Sequence, residues 1–135
     1  MTIYKAFQLL GFSGALLLSV QLYAATAPYP PEYYKHYSKE NPLFPLDKVE
    51  TPPTPVQQDS IQLPEELVKL HVKAAIAVEF VISKSGDVEY PTVLKSTEPR
   101  FNDVTLVTVR KWKFKPALKN GKPVNCRVAQ QLTFN

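Results

Sequence analysis

Residues 109–124 read Val-Arg-Lys-Trp-Lys-Phe-Lys-Pro-Ala-Leu-Lys-Asn-Gly-Lys-Pro-Val, and few folds accommodate that order. Trp112 and Phe114 alternate with Lys111, Lys113 and Lys115, so an extended segment here is aromatic on one side and cationic on the other. Asn120-Gly121 then places two residues tolerant of positive φ side by side, the chemistry of a tight reversal into another extended run. The aromatic side needs a core to cover it, so this stretch must lie against a sheet or a helix.

The clearest strand lies upstream. From Ala75 to Ser83, Ile76, Val78, Phe80 and Ile82 alternate with Ala77, Glu79, Val81 and Ser83. Ser85-Gly86-Asp87 turns the chain, and Val88 to Lys95 returns, with Val88, Tyr90, Thr92 and Leu94 expected on one face. Pro91 has no amide donor, which confines the returning strand to a sheet edge and makes the first strand central. The last strand spans Val124 to Phe134: Cys126, Val128, Leu132 and Phe134 share one face, Arg127, Ala129, Gln131 and Thr133 the other. Gln130 falls on the apolar face without an evident partner. Cys126 reads as a small packed residue, and a lone cysteine excludes an intramolecular disulfide.

Two stretches suit helices. Pro64 to His71 opens with Pro64 at the first helical position, followed by Glu65 and Glu66 at the positive end of the dipole, and His71 closes it. Residues 100–111 are ambiguous, because Val104, Thr105, Val107, Thr108 and Val109 are β-branched and lower helix propensity, whereas Asn102 and Asp103 suit a helix start.

The two ends of the chain have other characters. Lys5 is the only charge before Glu32, Leu9 to Leu22 is largely apolar, and the small residues Ala24, Ala25 and Ala27 follow, the pattern of an export signal. Ala6 to Ala27 is also long enough to span a bilayer. Residues 1–27 are therefore a signal peptide or an N-terminal anchor, with cleavage the favoured reading, and the bulk of the chain is expected outside the cytoplasm. Residues 28–58 hold eight prolines, lack periodicity, and read as an extended or disordered linker reaching about 90 Å at 3.1 Å per residue. The folded domain is expected over 59–135.

Taken in order, these segments resemble the C-terminal domain of TonB-family energy transducers. The residues that carry the likeness are the Pro-Glu-Glu-Leu helix start, Val-Glu-Phe-Val-Ile, Ser-Gly-Asp-Val, Leu-Lys-Ser-Thr-Glu-Pro-Arg-Phe, Val-Arg-Lys-Trp-Lys-Phe-Lys-Pro, the Asn-Gly turn and a final strand. The resemblance implies an α+β fold, two helices packed on one face of a three-stranded antiparallel sheet, and settles residues 100–111 as the second helix. It also implies docking on outer-membrane transporters, in which a short extended peptide, the TonB box, adds as a strand beside the last one. Carried onto this chain, the partner-binding residues are Arg127, Val128, Ala129, Gln130, Gln131, Leu132 and Thr133. Family members often carry Gln-Pro-x-Tyr-Pro before the first helix as a second contact. Here the stretch is Ser60-Ile-Gln-Leu-Pro64, so Gln62 and Leu63 are the secondary contacts and the Gln-Pro pair is missing. A complete transducer also couples through a membrane helix bearing a His to an ExbB–ExbD motor; the apolar run here has no His.

No catalytic constellation stands out. His36 and His71 lie on opposite sides of the linker boundary, and no phosphate loop, metal-ligand cluster or nucleophile motif occurs. Glu65, Glu66, Glu79 and Glu89 fall where solvated faces are expected. The basic C-terminal stretch (seven Lys and Arg from Val104 onward, no Asp or Glu) is read as the wet face of strands rather than a nucleic-acid footprint. The sequence thus points to a periplasmic binding module without cofactor or metal. Its rivals are an envelope protein whose open edge pairs with itself as a homodimer, and a secreted inhibitor or carrier.

Overall fold

The computed structural model describes residues 4–6, 33 and 36–135. In chain order the strands are β1 (Tyr4–Ala6), β2 (Leu43–Pro45), β3 (Thr54–Gln57), β4 (Ala74–Ile82), β5 (Val88–Ser96), β6 (Lys113–Lys115), β7 (Ala117–Lys119) and β8 (Lys122–Phe134). The helices α1 (Glu65–Val68) and α2 (Asn102–Val109) stand between them, with short 3₁₀ turns at Leu46–Lys48 and Pro99–Phe101. The expectation of a signal or anchor over 1–27 falls, apart from the three residues of β1, outside the described residues.

The sheet is built on three long antiparallel strands in the order β8-β4-β5. β4 is central, and β5 with Pro91 lies at the edge, as the missing amide donor requires. The sheet is larger than the expected three strands: β1, β2 and β7 also pair with β8, and β3 pairs with β6 in a separate two-stranded ribbon. Ile76, Val78, Phe80 and Ile82 face a core completed by Trp112, Phe114, Phe101, Val109, Leu132 and Phe134. The Lys side chains that alternate with Trp112 and Phe114 are exposed. The indole of Trp112 also donates from Nε1 to the Asp59 carbonyl at 2.9 Å, which fixes the approach to α1.

Three local expectations are corrected. The inward phase of β5 is not kept: Val88 lies across from Ile82 and Val93 from Val78, while Thr92 lies across from Glu79 on the opposite face. The cause is a bulge at Tyr90 and Pro91 against Phe80, with Tyr90 at φ +49, and a second irregularity at Leu94; each extra residue shifts the alternation by one. Glu79 is not solvated. It is 3% exposed, and Arg127, diagonal to it across the β4–β8 ladder, brings Nε to 3.9 Å. Helix α1 is a single turn. Pro64 caps it rather than joining it, and His71 at φ +52 ends the segment, its Nδ1 lying 2.8 Å from the Lys69 carbonyl.

Helix α2 forms despite its β-branched residues. Thr105 and Thr108 return their hydroxyls to the Phe101 and Val104 carbonyls at 2.7 and 2.9 Å. Glu98, rather than Asn102 or Asp103, caps the preceding turn by accepting from the Arg100 amide. Asn120 and Gly121 adopt φ +52 and +75 in the β7–β8 hairpin, as the Asn-Gly pair implies.

The described part of the proline-rich stretch is packed onto the domain. Tyr33 and Tyr37 set their rings edge-on to Tyr90 at 5.3 and 5.9 Å. Tyr37 Oη donates to Glu89 Oε1 at 3.2 Å, and His36 Nε2 lies 3.4 Å from Glu89 Oε2. Burial, reinforced by the Glu89 carboxylate, pushes the Tyr37 phenol well above its ordinary range. The bulge that puts Tyr90 at positive φ thus lies among the aromatic rings on which this segment rests.

Candidate functional site: the outer rim of the last strand

Strand β8 pairs along one side with β4, from Cys126 opposite Ile82 to Phe134 opposite Ala74. Its other side is the rim of the long sheet, where unmatched amides and carbonyls invite a partner. Two short strands of the same chain already sit there. β2 runs parallel to it, with Leu43, Phe44 and Pro45 beside Asn125, Cys126 and Arg127. β1 runs antiparallel, with Tyr4, Lys5 and Ala6 beside Phe134, Thr133 and Leu132. A rim open over residues 127–133 is therefore narrowed. Val128 to Gln131 is the stretch with no strand beside it among the described residues.

The docking of β2 has a local explanation. Asn125, 3% exposed, donates from Nδ2 to Asn41 Oδ1 at 2.8 Å and to the Pro42 carbonyl at 3.2 Å, while its Oδ1 accepts from the Lys84 amide at 3.1 Å. Lys119 stacks its ammonium over the Phe44 ring, 5.3 Å from the centroid, and donates to the Lys48 carbonyl at 2.8 Å. Neither tie shows as periodicity, because each is set by tertiary placement.

The expected site residues divide by face. Val128, Gln130 and Leu132 point into the core, and Ala129, Gln131 and Thr133 lie half-buried on the opposite face with Arg127. Arg127 is engaged with Glu79, so its guanidinium is held against the sheet rather than presented freely. Cys126, at the start of this run, is fully buried, and desolvation pushes its thiol up to about 12 with only a small opposing effect from Arg127. Of the two secondary positions, Gln62 is exposed, whereas Leu63 is 6% exposed and belongs to the core.

The residue sequence reasoning missed is Gln58. Its Nε2 donates to Gln130 Oε1 at 3.0 Å, tying the segment before α1 to the middle of β8. The only signal for it was Gln130 itself, a polar residue on an apolar face that needed a partner.

The profile described as Gram-negative bacterial TonB protein C-terminal matches residues 59–135, more than half of the chain. No curated protein sequence matches. Among solved structures, the solution NMR structure of the Pseudomonas aeruginosa TonB CTD superposes with a TM-score of 0.54 at 24% identity, covering 62% of this chain and 85% of that one. That likeness is one of fold: an α+β arrangement around a curled sheet.

Proposed function

Because the chain belongs to the TonB C-terminal family, whose domains face the periplasm and interact with outer-membrane transporters, we propose that it takes an extended transporter peptide of the TonB-box type as an added strand on the outer rim of β8. The observation that carries this reading is the use the chain itself makes of that rim. β2 adds to it in parallel and β1 in antiparallel sense, and between them Val128 to Gln131 has no strand on its outer side among the described residues. Four residues extend about 14 Å at 3.4 Å each, so a guest of ordinary strand length displaces β1 at Leu132 and Thr133 or β2 at Arg127. Main-chain hydrogen bonds supply the affinity, and a small interface of this kind gives a Kd around micromolar, roughly −8 kcal/mol. Energy coupling through an ExbB–ExbD-type motor is part of this proposal only where an N-terminal helix is retained.

Titration of the isotope-labelled chain with TonB-box peptides, followed by amide shifts, tests the reading. Shifts concentrated in residues 127–133 are the expected result. Shifts confined to the proline-rich segment, with β8 silent, refute it. Proline scanned through Val128, Ala129, Gln130 and Gln131 removes one amide at a time, and whichever of the two alternating sets points outward loses binding. A concentration-dependent dimer that protects β8 replaces peptide docking with self-pairing.

A further inference from the structure

The part of the rim with no strand beside it among the described residues carries a buried polar side chain. Gln130 is 1% exposed and lies opposite Val78 in the β4–β8 ladder, between the core residues Val128 and Leu132. Its Oε1 is occupied by Gln58 at 3.0 Å. Its Nε2 is buried and has no acceptor among the described residues. A buried amide donor without a partner is a liability that an aliphatic side chain at the same position avoids. The Gln58 bond engages one end of the Gln130 amide and leaves the other end buried without a partner.

An added strand changes the surroundings of that donor. The residue across from Gln130 on a guest strand places its Cβ about 4.5–5.5 Å away on the same face, within reach of a short oxygen-bearing side chain. Docking beside Val128 to Gln131 therefore brings Gln130 Nε2 an acceptor that it lacks among the described residues. The desolvation of this amide is already present in the guest-free domain, so an acceptor-bearing guest gains the bond without desolvating the donor afresh. An aliphatic guest leaves the donor as it was.

We propose that Gln130 is a specificity-determining residue of the rim, selecting guest strands that present Thr, Ser, Asn or Asp opposite it over guests that present an aliphatic residue. This rests on the strand-addition reading above. The neighbouring positions do not share the role: Val128 and Leu132 are apolar, and Ala129 and Gln131 lie on the other face.

The test uses the full chain and acetylated peptides of alternating Thr and Val, about seven residues long to match an ordinary strand. Each Thr is changed to Val in turn, and Kd and amide shifts are measured. One position is expected to cost about tenfold in Kd, the range of a single buried hydrogen bond, with the others near parity. In Gln130→Leu that one penalty disappears. Gln130→Met, closer in shape, keeps the test decisive if the Leu variant does not fold. Equal affinity at every position while β8 amides move overturns the role of Gln130 and leaves docking intact. No movement of β8 amides with any peptide overturns docking, and this inference with it.

Discussion

Replacing Gly86 by Ala measures how firmly the turn after β4 is held against β6. Gly86 has φ +86, and its carbonyl accepts from the Phe114 amide at 2.9 Å. A Cβ built there falls 1.9 Å from the Phe114 oxygen and 3.1 Å from its carbon, both backbone atoms that cannot swing aside. The turn must withdraw from β6, and the Phe114 amide loses its acceptor. Left-handed strain contributes about 1–2 kcal/mol and the orphaned amide about 1–3, giving about 2–5 kcal/mol in all. Gly121 supplies the internal control: φ is +75 with nothing within 4 Å of the added atom, so Gly121→Ala carries the strain alone, about 1–2 kcal/mol. Equilibrium unfolding in urea, read by fluorescence of Trp112, the only tryptophan, gives both values from the midpoints at constant slope. Equal losses in the two variants refute the argument, because they show that backbone proximity at Gly86 adds nothing to strain.

Cys126 is expected to resist thiol reagents at pH 8 until the chain unfolds, as measured by labelling with and without denaturant. Its titration also sets a sign: below its ordinary value of 9.0 both states are protonated, whereas above it the unfolded thiol ionises and the buried one keeps its proton up to about 12. Its contribution to stability therefore falls as pH rises across that window, and Cys126→Ala removes this part of the alkaline slope in urea unfolding. Trp112→Phe loses the bond to the Asp59 carbonyl and part of the core volume, for an expected cost of about 2–3 kcal/mol, and loosens the Gln58 segment to faster amide exchange. Lys5→Pro in the full chain removes an amide from β1 opposite Thr133; peptide affinity at the rim is expected to rise, and unchanged affinity excludes β1 as a competitor.

What the sequence made legible was whatever repeats with the period of the backbone. The alternation of Ile76, Val78, Phe80 and Ile82, the aromatic side of Trp112 and Phe114, and the faces of β8 all stand as read; β4 and β8 run past each other without a bulge, and in the β3–β6 pair the extra residue lies on β3. Pro91 gave the edge position of β5 through a missing donor. The inward residues of the same strand were lost because a bulge changes the count, and a Tyr at positive φ leaves no compositional trace. Glu79 reads as solvated in any alternating strand; the charge that faces it, Arg127, arrives from a strand nearly fifty residues later. In the site, the strand was identifiable from the family likeness, but its coverage by β2 and β1 and the bond from Gln58 join residues far apart in the chain. Helix α2 was legible only through the likeness too, since Val107 is left 56% exposed and the apolar residues do not form one clean stripe.

Where residues 1–27 are retained as an anchor, the aromatic seat of Tyr33 and Tyr37 on Tyr90 alters how far the domain can stray from that mooring. With residues 36–57 folded onto the domain as strands, turns and ring contacts, only residues 28–32 separate that seat from residue 27. At 3.1 Å per residue this is a leash of about 15 Å in place of the 90 Å that the proline-rich stretch offers when fully paid out. Longer travel therefore requires the Tyr33–Tyr37–Glu89 grip and then β2 to let go in sequence, so distance from the mooring and the state of the β8 rim are settled by the same detachments.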